Sequence, residues 1–262
     1  MNFIEESEAI CVAPKGHQAV ASGGEEDRRF AKPLVAQIVE LWRLRQDMVR
    51  AQAKLTLQIK AICRRFTAGD RREADRLYAS MHNGREHPAA EAAHAACAPL
   101  LLARQPLEAS RQALEKELAR MARGLPIAHV VDEIRGVNLS TLAAIVGECG
   151  DLSAYRDHSA LWKRCGLAVI GGERQRRKAD ADAALEHGYS PSRRSVMWNV
   201  GEALFKAQGK GDAAGPYRRI YDARKEHELA RCATAGHAHA AACRYMTKRL
   251  IRDLYRAWCA AV

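Results

Sequence analysis

The chain has 262 residues, 48% of them hydrophobic, which is enough for one large or two small domains with a buried core. Lys and Arg number 42 against 31 Asp and Glu, a formal net charge of +11 that points to nucleic acid or another anionic partner. Eight cysteines occur without a C-x-x-C pair, no apolar run approaches the roughly 18 residues of a membrane span, and Glu5, Glu6 and Glu8 stand where a leader would be apolar, so we expect a reduced, cytoplasmic protein with no membrane contact.

Aromatic residues make up only 6% and Ala is abundant, which favours helices over sheets, so the expected fold class is all-α. Residues 1–30 read as a disordered tail around Ser22-Gly23-Gly24 and the charged run after it. Pro33 suits the first turn of a long helix running to about Phe66. Leu34, Leu41, Met48, Leu55 and Ile62 recur every seven residues, with Ile38, Arg45, Gln52, Ile59 and Phe66 as a companion row. Such a seam with polar members in its middle predicts a coiled coil with a wet centre, either a helical hairpin or a homodimer through the 34–66 helix. Plain amphipathic packing in a bundle is the simpler alternative. A short helix follows from Arg71 to Met81, then a turn at His82-Asn83-Gly84. A further helical stretch from Ala89 to Arg123 should be divided or kinked at Pro99 and Pro106. Residues 31–126 thus form an antiparallel helical hairpin, closed by Gly124-Leu125-Pro126 as a domain boundary.

The second unit, residues 127–262, opens on a short apolar turn (Val130, Val131, Ile134) and Arg135-Gly136-Val137-Asn138. A helix follows through Leu139, Leu142, Ile145 and Val146, which Gly147 and Gly150 should break. The pattern is that of a helix-hairpin-helix, whose hairpin amides face outward and can hold a phosphate. Its candidate nucleic-acid contacts are Arg135, Gly136, Asn138, Ser140 and Thr141. Gly166 stops the next short helix. A glycine-led basic loop brings Arg174, Arg176, Arg177 and Lys178, and a polar segment runs on to Gly188. Ser190-Pro191-Ser192 caps a helix beginning at Arg193-Arg194. Gly209 to Gly215 is a flexible connection, followed by helices from Tyr217 to Leu229 and Ala235 to Ala260. On the last helix Arg244, Lys248, Arg252 and Arg256 make a basic stripe opposite Leu250, Leu254 and Trp258. From Val131 onward 22 basic residues face 15 acidic ones, so the positive charge concentrates here and these cations are read as a phosphate-backbone surface.

Two chemical alternatives are weak. Cys232, His237, His239 and Cys243 have zinc-ligand chemistry, but all fall on one helix or its start and His237 leaves the shared face, so neither metal nor cofactor is expected. His158, His187 and Ser190 have no spacing that assembles a catalytic triad.

The order of these signals resembles the C-terminal domain of the insertion-sequence-110, or pilin-invertase-type, transposases. Ile134 to Ala144 is similar to that family's I-P-G-I-G-x-x-T-A hairpin and Gly150 to Tyr155 to its G-D-x-x-x-F. Ser159 to Ala168 resembles its x-L-x-x-Y-x-G-L-x-P, Arg193-Arg194 its L-R-R-A-L helix, and Tyr217 to Asp222 with Ala241 to Trp258 its tail. The resemblance implies an RNA-guided DNA recombinase that acts as a dimer or tetramer, with an acidic ribonuclease-H-like domain and a nucleophilic serine. Residues 1–130 carry no strand pattern for the acidic domain, and the serine loop reads Ile170-Gly171-Gly172-Glu173-Arg174. The family's K-R-G element reads Glu186-His187-Gly188-Tyr189, leaving Ser190, Ser192 and Ser195 as distant substitutes. The sequence therefore suggests a catalytically reduced, transposase-like DNA-binding protein, with structured RNA as a second possible partner. An active transposase or recombinase with a separate catalytic set, and an all-helical regulatory protein, are the alternatives.

Overall fold

A computed structural model describes residues 24–84 and 86–262, with side chains from Lys32 onward. The fold is all-α. Its helices are α1 (Gly24–Phe66), α2 (Arg71–Asn83), α3 (Ala90–Ala122), α4 (Ala128–Asp132), α5 (Leu139–Cys149), α6 (His158–Arg164), α7 (Ala181–His187), α8 (Pro191–Ala207), α9 (Pro216–Leu229) and α10 (Ala235–Ala261). A two-strand ribbon, β1 (Val169–Ile170) with β2 (Glu173–Arg174), lies between α6 and α7, where the sequence pattern predicts a basic loop and no strands. α7 also fell in a segment read only as polar; the Asp180 carboxylate starts it by accepting the Ala183 amide.

α1 and α3 run antiparallel. Leu34 sits beside Gly124, Arg45 pairs with Glu115, and Cys63 shares a cluster with Cys97, so rising positions on one helix meet falling positions on the other. α2 caps the far end of this hairpin, and its N-terminus is held by Asp70, which accepts the amides of Arg72 and Glu73. Neither Pro99 nor Pro106 divides α3, which continues over 33 residues. α1 begins at Gly24, so Pro33 lies inside it instead of in its first turn. Of the expected tail, residues 1–23 fall outside the described residues and the rest belongs to this helix.

The buried seam of α1 is Val35, Ile38, Trp42, Ile59 and Cys63, while Leu34, Leu41, Met48, Leu55 and Ile62 are only half-buried. Burial therefore follows the companion row at Ile38 and Ile59, lapses between Trp42 and Ile59, and leaves Phe66 exposed. The middle is polar: Arg45 donates to Glu115 Oε1 from Nη2 at 2.7 Å and from Nε at 3.0 Å, and Arg111 reaches the same carboxylate.

Two cores result. A small one, Ile59, Cys63, Ala74, Leu77, Ala93 and Cys97, closes the far end of the hairpin. The large one takes in Ile38, Trp42 and Leu118 from the hairpin together with Ile145, Leu161, Met197, Leu250, Leu254 and Trp258. It is continuous across residue 126, so the base of the hairpin and the C-terminal helices share one interior. Gly147 lies within α5 and does not break it; the helix ends at Gly150.

A candidate anion site lined by arginines

The turn at 133–138 packs on α8 at Gly136 and buries Val137, while Glu133, Arg135 and Asn138 stay exposed. Gly136 has φ +90° and lies so close to α8 that a Cβ there would meet Ala207 Cβ at 2.7 Å and Ala203 O at 3.0 Å. Arg135 Nη2 donates to Ala207 O at 3.1 Å, and Gln208 Nε2 donates to Arg135 O at 2.6 Å. Arg135 and Gly136, expected to face a phosphate, thus hold the turn onto the C-terminal end of α8, with Arg135 itself exposed. Asn138 has φ −142°, an extended conformation, so no left-handed residue is needed where the resembled family has glycine. Its Oδ1 caps α5, accepting the Thr141 amide at 2.9 Å and the Thr141 hydroxyl at 3.1 Å. Asn138, Ser140 and Thr141 line a cleft of about 360 Å³ against Trp42, Arg45 and Asn199. Glu115 shares that cleft, which sets a carboxylate against any anion there.

The basic residues separate into two groups. Arg193 is spent internally, with Nε 3.8 Å from Glu148 Oε2 and Nη1 donating to Arg164 O at 3.3 Å. Arg252 is paired with Asp253 at 3.0 Å, and the same carboxylate accepts the Tyr217 hydroxyl at 3.1 Å. Lys178 and Arg176 both reach Glu173, at 2.9 and 3.0 Å. Arg177 and Arg256 are exposed.

The second group converges. Arg174 from the ribbon, Arg194 from α8 and Arg244 from α10 line one cavity of about 140 Å³ with Gly166, Ala168, Gln175, Tyr189 and the Glu173-paired Arg176. Among the described residues no carboxylate pairs with Arg174, Arg194 or Arg244; the nearby Glu228 is taken by Arg224. Burial, then the neighbouring Arg244 guanidinium, holds Arg194 below the usual arginine range. Burial and then Arg174 do the same to Arg244. Lys248, one turn on, is lowered by burial and then by Arg244, and its ammonium sits 4.0 Å from the centre of the Trp162 ring. Half-buried cations that repel one another, with no acid to balance them, are stabilised by an anion that enters between them.

Gln175, which sequence reasoning missed, builds this cavity. It is 5% exposed. Its Nε2 donates to Lys163 O at 2.9 Å and to His187 O at 2.5 Å, while its Oε1 accepts the Ala168 amide at 3.2 Å. One side chain thus ties the ribbon to α6 and α7 and aims the flanking Arg174 and Arg176. Tyr189 was also missed; nothing in its spacing marks it. Ser190 Oγ accepts the Arg193 amide at 3.4 Å, a helix-capping role and not a nucleophile's. Among the described residues no helix is long and apolar enough to cross a membrane. Compared with known protein families, curated proteins and solved structures, the chain matches none.

Proposed function

We propose that this protein binds the phosphate backbone of nucleic acid, DNA foremost and structured RNA as a second partner, and that Arg174, Arg194 and Arg244 form its anchor. The observation that carries the reading is the convergence on one cavity of the half-buried Arg194 and Arg244 and the exposed Arg174, none of them paired with a carboxylate among the described residues. Arg176, Lys248, Arg177 and Arg256 extend the positive surface, which suits a polyanion better than a small neutral ligand. The reading agrees with a transposase-like protein reduced to grip: the ribbon that stands at the resembled family's serine loop carries Gly171, Gly172 and Glu173. A cytoplasmic location goes with it. The α1 seam is already spent on α3, so a homodimer through the 34–66 helix would use the exposed Leu44 and Leu57.

The test is a salt series of binding to duplex DNA and to a structured RNA, with a Mg²⁺-dependent strand-transfer assay alongside. Binding that weakens steeply with salt and is not followed by cleavage is the expected result. An absence of binding at low salt, or strand transfer abolished by one Ser→Ala change, would overturn it. Sedimentation of wild type against Leu44→Glu/Leu57→Glu tests the dimer.

A further inference from the structure

We propose that Glu202, His239 and Cys243 form a binding site for a zinc-class divalent cation. Of the cysteines and histidines weighed in the sequence, Cys232 lies before α10 begins and His237 is off the face of the other two; the third ligand comes instead from a different helix. His239 and Cys243 are one turn apart on α10, and Glu202 faces them from α8. The two helices approach closely there, since a Cβ on the adjacent Gly201 would lie 2.4 Å from Thr247 Oγ1.

The three ligand atoms lie within 4.8 Å of one another. His239 Nε2 is 3.5 Å from Glu202 Oε1 and 3.7 Å from Cys243 Sγ. Zinc bonds of about 2.0–2.3 Å in a tetrahedron imply ligand separations of about 3.3–3.6 Å, so closure needs only small side-chain turns. The surroundings are those of a metal histidine. The Tyr221 hydroxyl is 2.7 Å from His239 Nδ1 and can accept a hydrogen bond from Nδ1–H; in that tautomer the Nε2 lone pair is free for a metal. Glu202 Oε1 is buried and accepts no hydrogen bond. Glu202, whose Oε2 also lies 3.6 Å from Lys206 Nζ, and a Cys243 thiolate together supply negative charge for a dication. Binding through the thiolate releases the Cys243 proton to solvent. Three protein ligands leave a fourth position for water.

The test is titration of the metal-free, full-length protein with Co²⁺ and then Zn²⁺, under a non-thiol reductant. One Co²⁺ per chain should give the visible bands of four-coordinate cobalt and a thiolate-to-metal charge-transfer band in the near ultraviolet, both bleached by Zn²⁺. Cys243→Ser should remove the charge-transfer band, whereas Cys232→Ser and Cys259→Ser should keep it. Tyr221→Phe should weaken binding by about 10- to 100-fold. A wild-type protein without these bands, or a charge-transfer band that survives Cys243→Ser, overturns the proposal. The wild-type spectrum needs no variant to fold. None of the three ligands lines the arginine cavity, so failure of nucleic-acid binding leaves this result untouched.

Discussion

Trp42 occupies the space that any side chain at Gly147 would need: a Cβ built there would lie 2.3 Å from Trp42 Cγ. The next residue completes the joint. Trp42 Nε1 donates to Glu148 Oε1 at 2.9 Å, Gln46 Nε2 donates to the same atom at 3.1 Å, and Arg193 approaches Glu148 Oε2. The long hairpin is thereby locked to α5 and α8 at one point. Gly147→Ala should destabilise the protein by about 1–3 kcal/mol through overpacking, although Ala is the better helix former. Trp42→Ala should cost about 3–5 kcal/mol. Urea unfolding gives both values; an unchanged midpoint for Gly147→Ala would mean that the indole has room to move away.

The two groups of arginines should respond differently to mutation. Arg194→Ala or Arg244→Ala removes a phosphate contact, so affinity for duplex DNA should fall and the slope of log K against log salt should drop by about 1. Stability should hold or rise, because each change relieves repulsion. Arg252→Ala should leave binding nearly intact and reduce stability, since Asp253 loses the partner that shares its charge. Affinity across a salt series, read beside a melting curve, separates the cases. Equal loss of binding in all three variants would remove the special status of the cavity.

The contrast between Arg194 and Arg193 shows what the sequence could and could not reveal. Both stand at the start of one helix, and the cap at Ser190 places that start correctly, but adjacent helical positions point about 100° apart. One guanidinium therefore enters the cavity and the other reaches Glu148. The all-α class, the Ser190 cap of α8 and the apolar face of α10 were legible because composition, capping and periodicity are local. The packing of Arg135 and Gly136 on α8 was not legible, because a free hairpin and one clamped onto α8 have the same local sequence; the tertiary neighbour Gln208 makes the difference. Gln175 was invisible for the same reason, as its partners lie on α6 and α7. The site of Glu202, His239 and Cys243 joins two helices that no spacing rule connects.

The polar middle of the hairpin makes a prediction about stability. Ile38 and Ile59 of one heptad row are fully buried, and Arg45 between them finds Glu115. Gln52 does not: its Nε2 is buried without a hydrogen-bond partner. An unsatisfied amide of this kind costs about 1–3 kcal/mol. Gln52→Leu should therefore raise the thermal midpoint, and Arg45→Leu should lower it because Glu115 would lose the guanidinium that bridges the two helices. A lower midpoint for Gln52→Leu would show that the amide is satisfied in solution.

Alkaline stability is set in part by Tyr155. Its hydroxyl donates to Cys149 O at 2.6 Å, and burial, followed by the neighbouring Cys149, pushes the phenol up to about 12. An unfolded tyrosine titrates near 10, so the unfolded chain gives up this proton first. The stabilisation is then complete below about pH 10 and is lost as pH rises from there towards 12. Tyr155→Phe should be less stable at pH 7, by about 1 kcal/mol for the lost hydrogen bond. It should also lose less stability between pH 8 and pH 11, about the range over which the unfolded phenol ionises. Tyr221 is raised in the same sense by its own burial, so the profile should flatten in part and not vanish. Urea midpoints of the two proteins across this range measure the difference. Parallel profiles would mean that the Tyr155 phenol is as free to ionise in the fold as out of it, which a hydroxyl held on the last carbonyl of α5 does not allow.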